Sequence, residues 1–205
     1  MTLEVQQPAM HLQLTDDPNL IDLEPLQGLW SVKQYLQLTK QTKRLIEFTD
    51  GVIEILPMPT KAHQAMSRVL FLAFLAVMQR IGGDIFYAPL RLEVRSGKFR
   101  EPDLLLVLKR DDPRAQNEYW TGADLVVEIV SPDRPQRDTE EKPLDYAEAG
   151  IPEYWIVNPL QSTITVLVLD GAAYREHGVY GRSQSAASAL IADFSVSVDA
   201  VLDPA

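Results

Sequence analysis

The sequence predicts a single mixed α/β domain in which helices pack on a β-sheet that is rich in hairpins. Three observations favour this fold class. The 205 residues and the 46% hydrophobic content suit one globular domain with a sizeable core. Strand-like segments are interspersed with three longer helix-like segments and one brief one, and Asp-Gly pairs separate neighbouring strand candidates. No internal repeat or linker divides the chain, so we predict a loose tail over residues 1–24 and one domain over 25–205.

The N-terminal half is predicted to contain two helices, a hairpin and a strand. Asp50-Gly51 separates two short apolar strands, which is typical of a hairpin. Thr60 is a suitable N-cap for the longer helix, and Gly82-Gly83 would end it. The apolar run 69–78 in this helix is too short to span a bilayer, so we expect a buried helix. The predicted elements are a helix over 28–40, the hairpin over 44–56, a helix from 61 to about 81, and a strand over 84–96.

The C-terminal half is predicted to alternate short strands with one main helix. Asp138 or Thr139 would cap this helix and Gly150 would end it, and acidic residues in its first turn suit the helix dipole. Asp170-Gly171 joins two strand candidates as a second hairpin. The predicted elements are strands over 101–108 and 124–130, the helix up to 149, strands over 153–159, 163–170 and 172–178, and a brief helix over 198–202.

Composition excludes several classes of function. The chain has no cysteine, so it has no disulfides, zinc–thiolate sites or thiol nucleophiles. This fits a reducing compartment, and the N-terminus lacks the pattern of a signal peptide, so we expect a cytoplasmic protein that does not enter membranes. The formal charge of −10 argues against a protein that coats nucleic acid, because phosphate binding draws its affinity from Lys and Arg. We expect His11 and His177 to be surface residues.

Basic side chains are dense only in short stretches, chiefly residues 91–100. This stretch is either an edge hairpin that its charges keep from aggregating or a local contact surface for DNA. The candidate DNA contacts are Arg91, Arg95, Lys98, Arg100, Arg134 and Arg137.

Glu128 interrupts a strand that is otherwise apolar on both faces, and it shares its face with Val126 and Val130. A carboxylate in such a strand is either paired or functional, because burying an unpaired charge is costly. Asp103 opens the preceding apolar strand, where it is either a turn residue or a second site carboxylate. If the two strands are neighbours, a divalent cation such as Mg²⁺ would relieve the repulsion between their carboxylates.

Lys142 lies on the apolar arc of the helix over 138–149, away from the charged arc formed by Glu141, Asp145 and Glu148. It is also a cation in the first turn, where the helix dipole mildly disfavours positive charge. The lysine either extends along the surface with its ammonium in water, or is required in the site.

Two segments, EPDLLLV (101–107) and DLVVEIVSPDRPQRDTEEKPLDYAEAGIPEYWIVNP (124–159), resemble the Uma family of putative restriction endonucleases, within the PD-(D/E)XK nuclease superfamily. The resemblance rests on the Pro-Asp, the Glu-x-Val, the lysine followed by tyrosine and glycine, and the PEYW block. It covers about residues 25–202. It implies a restriction-endonuclease-like core, with a central mixed sheet flanked by helices and extra hairpins.

The resemblance also implies roles for particular residues. Asp103 matches the superfamily's metal-binding aspartate, Glu128 matches the second acidic ligand, and the Ile129 carbonyl is a further expected ligand. The superfamily usually places a lysine two residues after that acid, where this chain has Val130. In the Uma family the lysine comes from the next helix, which matches Lys142.

Two residues nearer the N-terminus also match family positions. Glu47 resembles an early glutamate that adds another carboxylate to such sites, although its own sequence context predicts a solvated residue on a half-exposed strand. Glu54 competes with it for this assignment. His63 matches a frequent family histidine, but a lone histidine in the first turn of a helix is also compatible with a structural role.

The implied activity is hydrolysis of DNA phosphodiester bonds with Mg²⁺ or Mn²⁺, by a protein that the family resemblance predicts to be a homodimer. Two other functions fit the residues. The chain could be a nuclease-fold module without catalysis that binds or assembles with partners, or a Mg²⁺-dependent hydrolase of a small phosphate ester, which would suit the acidic surface.

Overall fold

The computed structural model describes residues 23–204 of the chain. His11 and all but the last two residues of the predicted tail lie outside the described residues, so the domain boundary remains a prediction.

The described chain begins with a 3-10 turn at Glu24–Leu26. The helices are α1 (Val32–Gln41), α2 (Lys61–Ile81), α3 (Lys142–Glu148) and α4 (Val198–Leu202). The strands are β1 (Ile46–Thr49), β2 (Val52–Ile55), β3 (Asp84–Tyr87), β4 (Leu92–Arg95), β5 (Lys98–Arg100), β6 (Leu104–Val107), β7 (Leu125–Ile129), β8 (Glu153–Asn158), β9 (Thr163–Asp170), β10 (Ala173–Tyr180), β11 (Ser185–Ala187) and β12 (Ser195–Ser197).

The central sheet has six strands in the order β10-β9-β8-β7-β6-β3. Neighbouring strands are antiparallel except β7 and β8, which are parallel and are connected through α3. A parallel pair needs such a crossover, because a tight turn can join only antiparallel strands. The predicted mixed sheet with flanking helices is therefore confirmed.

Both faces of this sheet are covered, which explains the apolar character of β7. Leu125, Val127 and Ile129 pack with α2 and the C-terminal elements on one face, whereas Val126 and Val130 pack with α3 on the other. Glu128 belongs to the second face by alternation. The two-sided burial predicted for this strand is confirmed, and it places one carboxylate in an apolar layer.

A second sheet, with the order β2-β1-β5-β4, packs on α1. Tyr35 of α1 contacts Phe48 and Phe99, with ring centroids 5.1 and 5.2 Å away. Because β1 alternates, Phe48 faces this aromatic cluster and Glu47 faces the opposite side. The second sheet therefore contributes charged residues of β1 and β5 to the interior.

The capping and turn geometry confirms several predicted boundaries of helices and strands. The Thr60 hydroxyl accepts from the backbone N–H of His63 at 3.2 Å, and Gly82 ends α2 in the left-handed conformation with φ 82°. Asp50 and Gly51 turn the first hairpin with φ of 47° and 91°. At Gly51 a side chain would also clash, because a Cβ would lie 2.6 Å from the Gly28 carbonyl oxygen.

Other predictions are wrong. The strand predicted over 84–96 is two strands in different sheets, because β3 pairs with β6 whereas β4 pairs with β5. The helix predicted after Asp138 or Thr139 begins with a π-helical turn at Arg137–Glu141, for which no side-chain N-cap is present. The strand pair β11 and β12 was not predicted.

Helix α2 has the length and composition that crossing a membrane would require, and it alone does so among the described helices. Core helices of globular proteins meet the same criteria. Met66, Leu70 and Phe74 of α2 are buried against the central sheet, whereas Leu72 and Ile81 are exposed. The helix predicted to be buried is therefore buried along one face.

Candidate active site

Two adjacent strands bring the predicted carboxylates together. Leu104 of β6 pairs with Val127 of β7 in an antiparallel register, so Asp103 and Glu128 fall at the same end of the sheet. The Asp103 carboxylate accepts a hydrogen bond from the Ile129 backbone N–H at 2.8 Å. This hydrogen bond holds Asp103 against β7, beside Glu128. The sequence predicted that the two residues would be close if their strands were neighbours, and they are.

Glu128 is a buried carboxyl with a cation beside it. It is only 3% exposed, its Oε1 lies 2.7 Å from the Lys142 ammonium, and it accepts from the Tyr146 hydroxyl. Burial raises the pKa of Glu128, Lys142 offsets this only in part, and the nearby carboxylates of Asp103 and Asp138 raise it further. The surroundings of Glu128 therefore favour the binding of additional positive charge.

Lys142 points into the protein and not into solvent. It is 4% exposed, and its Nζ lies 2.9 Å from Asp138 and 3.9 Å from Glu47, in addition to Glu128. Burial lowers the pKa of Lys142, but the three carboxylates outweigh it and raise the pKa above the ordinary value. Lys142 is therefore a charged ammonium within the site, and its position on the apolar arc is explained.

Asp138 was not predicted as a site residue. Its Oδ1 pairs with Lys142 four residues later, and its Oδ2 accepts from the Ser131 backbone N–H at 3.3 Å. The Asp–Lys spacing of four residues was the available signal in the sequence, since side chains so spaced are neighbours on a helix. Asp138 therefore holds the ammonium together with Glu128.

Glu47 is buried, so the prediction that it is exposed to solvent is wrong. It is 1% exposed because the second sheet covers the site on the side away from α1. Its carboxylate contacts Arg137, lies 3.3 Å from Arg100, and lies within 3.9 Å of Lys142. Burial alone would raise the pKa of Glu47, but these three cations lower it below the ordinary value. Glu54, the competing residue, is at the surface and bonds Arg134 and Arg137.

His63 lies beside Asp103, with its Nε2 3.1 Å from the carboxylate. Burial lowers the pKa of His63, but the hydrogen bond to Asp103 and the surrounding carboxylates raise it overall. Its Nδ1 is buried without a hydrogen-bond partner. The structure therefore places His63 in the site, in contact with Asp103.

Glu101 is a further buried carboxyl that the sequence did not single out. Its backbone N–H donates to Glu47 at 3.3 Å, and its Oε2 has no partner. Burial raises the pKa of Glu101 to about 8, and the charge of Glu47 adds to this. Its position two residues before Asp103 in an extended segment was the only signal.

All six predicted DNA contacts have acceptors within the chain. Arg91 donates to the Thr39 hydroxyl at 3.0 Å. The other five form ion pairs: Arg95 with Asp50 and Glu148, Lys98 and Arg100 with Asp145, Arg134 with Glu54 and Glu141, and Arg137 with Glu47 and Glu54. Binding of phosphate to these groups would therefore require them to exchange partners.

The burial of two residues in α3 differs from the sequence prediction. Asp145, predicted on the charged outer arc, is buried and pairs with Lys98 and Arg100. Leu144, predicted on the apolar arc, is exposed. Lys98 and Arg100 of β5 contact this helix at Asp145, which explains why an acidic residue is buried there.

The donor set of the site suits a hard divalent cation, and its two carboxylates, Asp103 and Glu128, lie on adjacent strands at one end of the sheet. Residues 23–204 contain no group of three or more acidic or histidine side chains positioned to hold a metal. Asp103 and Glu128 offer oxygen ligands, and the pKa of Glu128 is raised chiefly by burial, with the charges of Asp103 and Asp138 adding to the rise. The remaining ligands would have to be backbone carbonyl, water or substrate oxygens.

The sequence matches a family profile described as putative restriction endonuclease over residues 32–199. The chain belongs to the Uma2 family. The matched residues span α1 through the start of α4 and include every predicted site residue. No curated protein matched the Uma2 chain significantly.

The structure of this Uma2 protein is similar to a crystal structure described as a putative nuclease from Anabaena variabilis. The TM-score is 0.65 at 19% sequence identity, and the match covers 82% of this chain and 97% of the other. At this identity the likeness concerns the fold, and it confirms the nuclease-like architecture implied by the sequence.

Proposed function

We propose that this Uma2 protein is a metal-dependent endonuclease that hydrolyses DNA phosphodiester bonds. The observation that carries the proposal is the buried Glu128 carboxyl, which lies beside Asp103 and 2.7 Å from the Lys142 ammonium. Two carboxylates and a cation at one end of a sheet suit metal-assisted hydrolysis of a phosphate diester. Family membership supports a nucleic-acid substrate.

Asp103, Glu128 and the Ile129 carbonyl would hold Mg²⁺ or Mn²⁺. When bound, the ion supplies Lewis-acid polarisation of the scissile phosphate and a bound water of lowered pKa. Lys142 stabilises negative charge that develops on the phosphate, or orients the attacking hydroxide. The raised pKa of Lys142 keeps its ammonium charged for this role.

The neighbours of these groups hold them in place. Tyr146 donates to Glu128, and His63 and the Ile129 backbone N–H both contact the Asp103 Oδ2 atom. Asp138 retains the Lys142 ammonium if Glu128 turns toward a metal ion. Rigid support of this kind reduces the reorganisation needed during the reaction.

A Mg²⁺-dependent hydrolase of a small phosphate ester is the second candidate. Two observations favour this candidate: the basic residues are held in ion pairs, and the net charge is −10. Long DNA would need a free cationic surface, which neither observation supports. The homodimer expected from the family would place two such sites in one particle, and it too is a proposal.

The test is a cleavage assay with Mg²⁺ or Mn²⁺ on plasmid DNA, single-stranded DNA and a small phosphodiester. Asp103→Asn and Lys142→Met are compared with wild type, and Asp199→Asn, which alters a surface ion pair with Arg182, is the control. We expect wild type and the control to cleave DNA and both site variants to lose at least 100-fold in rate. Equal activity or equal inactivity of wild type and both site variants would contradict the proposal. Cleavage of only the small ester would favour the second candidate.

A further inference from the structure

Glu47 and Glu128 are both buried carboxylates of the site, but their surroundings have opposite charge. Glu128 contacts one cation and lies near two carboxylates, whereas Glu47 lies among three cations. We propose that Glu47 is not a metal ligand but an internal counter-ion that positions Arg137 and Lys142 for a phosphate. This proposal rests on the proposed function, because the phosphate is that of the substrate.

Both oxygens of Glu47 are already engaged. Oε2 accepts from Arg137 and lies 3.3 Å from the Arg100 Nε, while Oε1 accepts from the Glu101 backbone N–H and lies 3.9 Å from Lys142. A metal ion that recruited Glu47 would compete with the largely buried guanidinium groups of Arg100 and Arg137. Breaking a buried ion pair is strongly unfavourable, because an uncompensated charge remains. Glu47 is therefore poorly suited to the role of a further metal ligand.

Arg137 is the member of this cluster that can reach a phosphate by exchanging one partner. Its Nη2 is held by Glu47, but its Nη1 donates at 3.1 Å to Glu54, whose side chain is 43% exposed. Arg100, in contrast, is fixed by Asp145 and the Thr49 hydroxyl through all three of its nitrogens. A phosphate oxygen could therefore replace Glu54 on Arg137, while Glu47 keeps the guanidinium oriented.

A metal titration separates the two roles. Isothermal titration of Mn²⁺ compares wild type with Glu47→Gln and Glu128→Gln, which are matched changes of a buried carboxylate to an amide. We expect the affinity of Glu47→Gln to stay within about three-fold of wild type and that of Glu128→Gln to fall at least ten-fold. An equal loss in both variants would show that Glu47 is a ligand and would overturn the proposal.

An anion titration, in the absence of metal, tests the counter-ion role directly. Glu54→Gln should bind inorganic phosphate at least five-fold more tightly than wild type, as followed by the shift in Tm, because the carboxylate that competes for the Arg137 Nη1 has been removed. Adding Arg137→Gln should abolish this gain. Glu47→Gln should bind phosphate at least five-fold more weakly than wild type, because Arg137 and Lys142 lose the carboxylate that orients them. Unchanged or tighter phosphate binding by Glu47→Gln would contradict the proposal.

The folding of the variants provides a further test. Glu47→Gln leaves buried cations without their counter-ion, whereas the double variant Glu47→Gln/Arg137→Gln removes one charge of each sign. We expect the double variant to be more stable than Glu47→Gln alone, and a double variant that is no more stable would count against the proposal. If wild type binds no Mn²⁺, the metal-dependent function fails, while the phosphate and stability measurements still decide the role of Glu47.

Discussion

Replacing Lys142 by methionine removes the buried ammonium while keeping most of the side-chain volume. The ammonium lies 2.7 Å from Glu128 and 2.9 Å from Asp138, and the lysine is 4% exposed, so solvent cannot replace it. Removing one partner of a buried ion pair typically costs about 3–5 kcal/mol. We expect Lys142→Met to lose about this much free energy of unfolding near neutral pH, which is a large share of the stability of an ordinary domain.

The loss should depend on pH through Glu128. Burial already raises the pKa of Glu128, and without the lysine the folded-state pKa rises further above the unfolded value of about 4.3. A group with a raised folded pKa contributes stability that is complete below its unfolded pKa and is lost as pH rises through the folded pKa. The loss relative to wild type should therefore be larger at pH 9 than at pH 6, because the two folded proteins differ in the charge of Glu128 only above the wild-type pKa of about 8.

Urea denaturation at pH 6 and pH 9 measures both effects. Lys40→Met is the control, because Lys40 forms an exposed ion pair with Glu118 and should change stability little at either pH. A Lys142→Met variant within about 1 kcal/mol of wild type at both pH values would refute the reasoning, since the cited cost of breaking a buried pair is several times larger.

Three further predictions concern the framework of the site. Glu153→Gln should lower the free energy of unfolding by about 2–3 kcal/mol, because the Glu153 carboxylate accepts from Trp155, Ser188 and two backbone N–H groups in the loop after β11. Glu101→Gln should gain stability relative to wild type as pH rises from about 4.5 to about 8, because the unfolded chain loses the Glu101 proton in this range while the folded protein still binds it. Gly51→Ala should destabilise the hairpin, because its φ of 91° and the Gly28 carbonyl leave no room for a Cβ.

Chemical denaturation at several pH values tests these three variants together. The exposed change Glu176→Gln on β10 is a suitable control, with stability expected to match wild type. A Glu153→Gln protein as stable as this control would contradict the anchoring role of Glu153. A Glu101→Gln protein whose stability follows wild type in parallel from pH 5 to pH 9 would show that Glu101 does not titrate as a buried acid. A Gly51→Ala protein with wild-type stability would show that the turn accommodates a side chain.

The sequence was sufficient for those site residues that break a local pattern. Glu128 is a charge in a doubly apolar strand, and Lys142 is a cation on an apolar helical arc, so each was conspicuous without knowledge of the fold. The prediction that Asp103 is a site residue required one further condition, namely that its strand lies next to β7. The antiparallel pairing of β6 with β7 meets this condition.

The remaining site residues depend on contacts between distant elements, which local patterns do not contain. Glu47 alternates with Ile46 and Phe48 as an exposed residue would, and only the packing of the second sheet across the site buries it. Asp145 lies on a face that is polar by composition, but β5 covers that face with Lys98 and Arg100. The break between β3 and β4 likewise results from pairing with two different sheets.

The most direct test of the central claim is the position of a bound metal ion. Crystals of wild type soaked in Mn²⁺ should show an anomalous scattering peak within about 2–2.6 Å of carboxylate oxygens of both Asp103 and Glu128. The peak should be absent from Asp103→Asn crystals treated in the same way. A peak at other residues, or none between these two carboxylates at saturating Mn²⁺, would contradict the assignment of Asp103 and Glu128 as the metal-binding pair.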